Sequence, residues 1–176
     1  GVLLVVCMGS PLLSHASAVR LDHARAELTV NGESTTAAVT LPYGWDFHHK
    51  GQSSLARFTL EFDGPSSGSD TWALYFFRLG NAYTVKLNGT LLEQNGATRL
   101  PTSDAGDYAK VPRLIRIPPS VLQAHNQLEV VIRSESGRRS GMPAVWVGPT
   151  QAVEPLYRQE FALRVGGSAV FTVFSL

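Results

Sequence analysis

Polar and apolar positions alternate with a period of two along much of this chain, and a helical period is hard to find. Residues 55–62 are the clearest case. Phe58, Leu60 and Phe62 fall on one face and Arg57, Thr59 and Glu61 on the other, which predicts a half-buried strand. Residues 26–30 run into the turn pair Asn31-Gly32, and residues 37–41 end at Pro42, so two further strands are expected there. Residues 72–79 form an almost unbroken aromatic and apolar run, the pattern of a central strand covered on both faces. Residues 83–87 lead into Asn88-Gly89, a pair that accepts the positive φ angles of a type I′ hairpin turn. Residues 93–110 are polar and turn-rich, too long for a hairpin, and read as a functional loop or sheet crossover. Apolar segments at 114–117, 128–133 and 144–147 bring the expected total to about eight strands.

Composition points the same way: 16 Gly and 10 Pro punctuate the chain often enough to favour an all-β sandwich over a helical domain. The ends differ from the middle. Residues 1–18 carry no Lys, Arg, Asp or Glu and finish in Ala16-Ser17-Ala18, an A-x-A pattern that reads as the later part of a signal peptide, with an uncleaved anchor or a buried strand as the alternatives. Cys7, the one cysteine, lies inside that leader, so an exported product starting at Val19 would contain neither disulfides nor thiolate chemistry. Residues 165–176 are uncharged; they read either as the start of a truncated transmembrane helix or as a last sandwich strand. The expected organisation is therefore a partial signal peptide at 1–18, one domain at 19–150, a linker at 151–164, and the opening of a membrane helix from 165. With 15 basic and 14 acidic side chains, all beyond position 18, there is no electrostatic footprint for nucleic acid.

The order of several short motifs carries a resemblance. Leu41-Pro42-Tyr43-Gly44-Trp45, Val85-Lys86-Leu87-Asn88-Gly89, Ile117-Pro118-Pro119, Asn126-Gln127-Leu128 and Trp146-Val147-Gly148-Pro149 succeed one another as in galactose-binding-like jelly rolls. Two branches share that pattern. One is the sugar-binding domain of β-galactosidase-type glycoside hydrolases. The other, which the closing element resembles more, is the extracellular jelly-roll sensor domain of bacterial membrane receptors with diverse intracellular signalling modules. That resemblance implies a periplasmic or extracellular location at the bacterial inner membrane, a small-molecule ligand with saccharides among the candidates, a membrane partner through a C-terminal helix, and a homodimer as one arrangement.

Catalytic signatures are missing from the sequence: it has no nucleophile elbow, zinc-protease motif, phosphate loop or dinucleotide fingerprint, and a non-enzymatic domain is expected. No cofactor and no metal are expected. Asp46-Phe47-His48-His49 is a metal-like cluster without a third ligand, and Asp104 with Asp107 is too sparse for calcium. For ligand binding, Trp45 stands out as an aromatic in a polar, loop-like setting where it could stack on a sugar ring, although the resemblance also allows it to be a structural plug. Arg78, Asn81 and Tyr83, grouped around Gly80, are the candidate polar groups of a pocket, or else merely satisfy the turn. Three readings remain: receptor sensor, carbohydrate-binding module of a hydrolase, and structural adhesion domain.

Overall fold

The computed structural model describes residues 17–65, 70–79, 82–98, 111–134 and 140–173, with residues 164–173 described as backbone. Two sheets face each other. The larger has the order β3-β2-β5-β10-β7-β8, from Glu33–Thr40 (β3), His23–Val30 (β2), Ser54–Asp63 (β5), His125–Ser134 (β10), Ala82–Leu87 (β7) and Thr90–Asn95 (β8). The smaller has the order β1-β12-β6-β9, from Val19–Leu21 (β1), Val145–Pro149 (β12), Trp72–Phe76 (β6) and Arg113–Ile117 (β9). Every pairing is antiparallel. A third, minimal ladder joins Tyr43–Gly44 (β4) to Gly141–Met142 (β11) beside the short helix Trp45–His48 (α1). The chain is an all-β jelly-roll sandwich.

The alternation read from the sequence is what fills the space between the sheets. Phe58, Leu60 and Phe62 of β5 and Val130 and Ile132 of β10 point inward and meet Trp72, Leu74 and Phe76 of β6. Phe62 and Trp72 stack across the gap with ring centroids 6.3 Å apart. The two hairpins expected from Asn-Gly are present, with Asn31 and Gly32 at φ 52° and 86° and Asn88 and Gly89 at φ 50° and 82°. Strand β8 extends to Asn95, so the first residues expected to be a long loop continue the hairpin instead. Residues 99–110, including Asp104 and Asp107, lie outside the described residues.

Three of the motifs that carry the resemblance converge on one corner. Asn126 Oδ1 accepts from the Gln123 backbone N–H at 2.8 Å and from Asn88 Nδ2 at 3.0 Å, while its Nδ2 donates to the carbonyls of Gln123 at 2.7 Å and Phe62 at 3.4 Å. Asn88 in turn donates to the Val121 carbonyl and accepts from the Gln127 N–H. The Asn-Gly hairpin, the Pro118-Pro119 corner and the start of β10 are thus fastened by two asparagines that bond backbone groups of all three segments.

The β6 strand is covered on its second face as well, by the helix Thr150–Val173 (α2). The segment expected as a linker at 151–164 is helical: the backbone turns directly after β12, with Thr150 held by two hydrogen bonds to the Thr71 carbonyl. Val153, Leu156 and Tyr157, at helical spacing, pack on Ala73 and Tyr75, and Tyr75 meets Tyr157 edge-on at 6.1 Å. Pro155 lies inside the helix and withholds the N–H that would serve the carbonyl of Gln151. The last-strand alternative for the C-terminal segment is excluded through Val173, which is helical. Among the described residues, no helix is long and apolar enough to cross a membrane. Residues 1–16, most of the expected leader, lie outside the described residues; Ser17 and Ala18 belong to no helix or strand, and Val19 opens β1.

Candidate functional site

One end of the sandwich gathers α1, the β4–β11 ladder and the exit from β6. Trp45 sits there, and its environment corrects the stacking expectation in favour of the plug. The indole is 1% exposed, its Nε1 donates to the Gln52 carbonyl at 3.0 Å, and His49 stacks on it at 4.1 Å. Instead of offering a face to a sugar, Trp45 plugs the end of the core. His49 also bonds the Tyr43 hydroxyl at 2.9 Å, and His48 stacks on the Tyr43 ring at 4.5 Å. Burial and the neighbouring His48 hold the His49 pKa below its usual value, so the ring is neutral at pH 7. Asp46 ties α1 to the other side by accepting from the Ser140 N–H at 3.1 Å. The aspartate and histidines are therefore engaged in packing and local hydrogen bonds, and no group of three or more metal-ligating side chains forms among the described residues.

Tyr83 is likewise inside. It is 2% exposed, and its hydroxyl donates to Glu93 of β8 at 2.5 Å. Burial, then that hydrogen bond and the Glu93 charge, push the phenol pKa far above its ordinary value. Arg113 completes the group, 3.8 Å from Glu93 and 6.0 Å from the ring centroid. Tyr83 is a buried fastening between β7, β8 and β9, not a pocket wall. We expect Tyr83→Phe to lower unfolding stability by about 1–2 kcal/mol, read by urea denaturation, without changing the fold.

Arg78 is where the sequence reading and a cavity coincide. Three segments, Pro42 to Gly44, Phe77 to Leu79 and Ser140 to Pro143, enclose an apolar cleft of about 270 Å³. Arg78 is its only charged lining residue, exposed and without an ion pair among the described residues. The close approach of two strands forms the floor: a Cβ on Gly141 would stand 2.2 Å from the Tyr43 carbonyl oxygen, so glycine is required there. Phe47, 92% exposed, and Phe77 add apolar surface at this end. Asn81 lies outside the described residues. The structure therefore gathers neither Trp45 nor Tyr83 into the cleft with Arg78. The lining residues that sequence reasoning missed, Met142 and Pro143 among them, come from a segment far away in the chain; the paired glycines at 44 and 141 are a signal only once β4 and β11 are known to pair.

A second concavity, about 680 Å³, lies on the outer face of the large sheet. Its walls are the outward side chains of β2, β3, β5 and β10: small residues such as Thr36 and Ala38 beside Arg25, Glu27, Arg57 and Glu129. Arg57 reaches Glu129 at 3.6 Å and Glu27 at 3.9 Å, and Lys86 reaches Glu129 at 3.7 Å. Exposed pairs of this kind contribute little to stability.

Comparison with known proteins bears on the fold. No family model matches the sequence, and no curated protein matches it. Solved structures do resemble it. A GH2 β-galacturonidase from Eisenbergiella tayi, bound to galacturonate, is similar over 75% of this chain and 24% of its own, at 14% identity and a TM-score of 0.51. An FMN-binding β-glucuronidase from Facaelibacterium prausnitzii L2-6 is similar over 75% of this chain and 22% of its own, at 14% identity and a TM-score of 0.56. A Ruminococcus gnavus β-glucuronidase is similar over 76% and 28%, at 17% identity and a TM-score of 0.56. The chain thus spans about a quarter of the length of these proteins. At such identity the likeness establishes the jelly-roll sandwich and says nothing of individual site residues.

Proposed function

We propose that this domain is the exported ligand-sensing module of a bacterial membrane receptor, non-catalytic, which binds a small polar ligand, saccharides included, and passes occupancy to α2. The observation that carries this reading is the seating of α2. The helix begins immediately after the last strand and lays Val153, Leu156 and Tyr157 on β6, the same strand that leads through Phe77 and Arg78 into the apolar cleft. A ligand in the cleft would touch one end of a strand whose outer face holds the helix. Any ligand that binds one seating of α2 better than another shifts the balance between them. The segment beyond Arg164 would continue toward the membrane.

The likeness to GH2 enzymes favours a second reading, a carbohydrate-binding domain without the catalytic residues of such an enzyme. Both readings require ligand binding; the receptor reading requires in addition that binding reach α2. The test is calorimetric titration with galactose, galacturonate and glucuronate, followed by hydrogen exchange with the ligand that binds. We expect Arg78→Ala to weaken binding at least about tenfold, the value of one charge-assisted hydrogen bond, while the melting temperature of the exposed-site variant stays put. Altered exchange at residues 150–160 on binding supports the receptor. Binding with unaltered exchange there supports the hydrolase-type module, and no binding by any of the sugars counts against that module and against a saccharide as the receptor's ligand.

A further inference from the structure

Strand β3 is an edge of the large sheet, and among the described residues its one ladder partner is β2. Edge strands are usually guarded against pairing with another chain by charge, proline or a bulge. The opposite edge, β8, has such guards: the β7–β8 ladder is irregular between Val85 and Lys86, and Glu93 is engaged by Arg113 of β9. Strand β3 has none. It is eight residues long, regular in register with β2 throughout, and from Ser34 to Thr40 it holds no charge, no Pro and no Gly. The facing sheet is two strands narrower, and β3 is exposed from Glu33 to Ala38, with only Val39 reaching the core; even Ala37, paired with the buried Ala26, is exposed.

We propose that β3 is the interface through which two copies of this chain associate, antiparallel and edge to edge, with Ala37 opposite the partner's Ala37. The outward charges of β2 select the partner and the register. Arg25 lies opposite Ala38, and Glu27 opposite Thr36, across the β2–β3 ladder. With Ala37 on the two-fold axis, Ala38 faces the partner's Thr36, and the outward row across the junction reads Arg25, Ala38, the partner's Thr36, the partner's Glu27. Three strand spacings separate the two charged positions, about 14 Å of backbone distance, and only small side chains stand between the long ones that close it. The two-fold axis generates the pair twice. Arg25 has no ion pair among the described residues, so it is available. Sliding the register to place Thr36 opposite the partner's Thr36 would instead align Glu27 with the partner's Glu27, like against like. No charge of β3 itself meets its own copy in the favoured register, since Ser34 faces the partner's Thr40. A strand that tolerates its own image and gains opposite charges from the neighbouring strand fits a second copy of this chain. This inference is independent of what the cleft binds.

Sedimentation velocity of the chain across micromolar to millimolar concentrations tests it. The expected result is a reversible monomer–dimer equilibrium, lost in Ala37→Lys, where two ammonium groups would meet on the axis, with the variant's folding checked by circular dichroism and thermal melting. Arg25→Glu and Glu27→Arg, each alone, should weaken dimerisation about tenfold, and the double variant should recover it, because the exchange restores opposite charges only across the proposed register. These outward substitutions also decide the matter if Ala37→Lys fails to fold. A monomer at every concentration, a dimer indifferent to Ala37→Lys in a folded variant, or a double variant no better than the single ones overturns the proposal.

Discussion

Trp45→Ala is expected to lower the free energy of unfolding by about 3–5 kcal/mol, which for a domain of this size shifts the melting temperature down by roughly 6–20 °C. The indole fills the end of the core beside Tyr43 and Phe58, and its removal opens a cavity among side chains that cannot all collapse into it. It also leaves the Gln52 carbonyl without its donor and removes the ring against which His49 stacks. Thermal and guanidinium melts measure the loss. The same variant separates packing from recognition: if Trp45 is a plug, ligand affinity measured well below the melt changes little, whereas a folded Trp45→Ala protein of wild-type stability would contradict the packing described here.

The second large effect is expected at Asn126. It is 3% exposed, and its amide meets four partners at the corner where three chain segments join. Asn126→Ala strands the Gln123 N–H, the carbonyls of Gln123 and Phe62, and the amide of Asn88, and should cost about 2–4 kcal/mol. Asn126→Asp is the sharper probe. It keeps the acceptor oxygen but turns the donor into a second oxygen facing two carbonyls, so at neutral pH it should be no better than alanine despite its near-identical shape. Chemical denaturation of both variants decides; stabilities within about 0.5 kcal/mol of the parent, the range of ordinary surface substitutions, would mean that the corner holds together without its amide.

These two residues also show what the sequence can and cannot disclose. Periodicity of two and the Asn-Gly pairs expose β2, β5, β7 and β10, because those signals are local consequences of the pleat and of positive φ at a tight turn. The covered character of β6 was legible from its unbroken apolar run, although the covering partner was not. Helix α2 is obscured by Pro155 and by Gly166-Gly167, which mimic a junction; Val153, Leu156 and Tyr157 hold the helical spacing that could have revealed it. Trp45 could be read as platform or plug because a Pro-Tyr-Gly-Trp-Asp string resembles an exposed loop, while its burial is supplied by residues distant in the chain. Arg78 could be nominated from its place at a strand end, yet the cleft beside it requires Gly141 and Met142 to meet Tyr43 and Gly44, a long-range pairing with no local signature.

The three-residue strand β1 has a mechanical meaning. It borders β12, with Val19 opposite Val147 and Leu21 opposite Val145, so the chain enters the small sheet at the same end from which it leaves into α2. Tension applied between entry and exit therefore loads that ladder one hydrogen bond at a time, as a zipper is opened, rather than all together in shear. The first thing to give under a pull is β1, and its departure bares the flank of β12 while both main layers of the sandwich remain closed. In a molecule tethered at both ends, the fold carries a built-in fuse at its point of attachment.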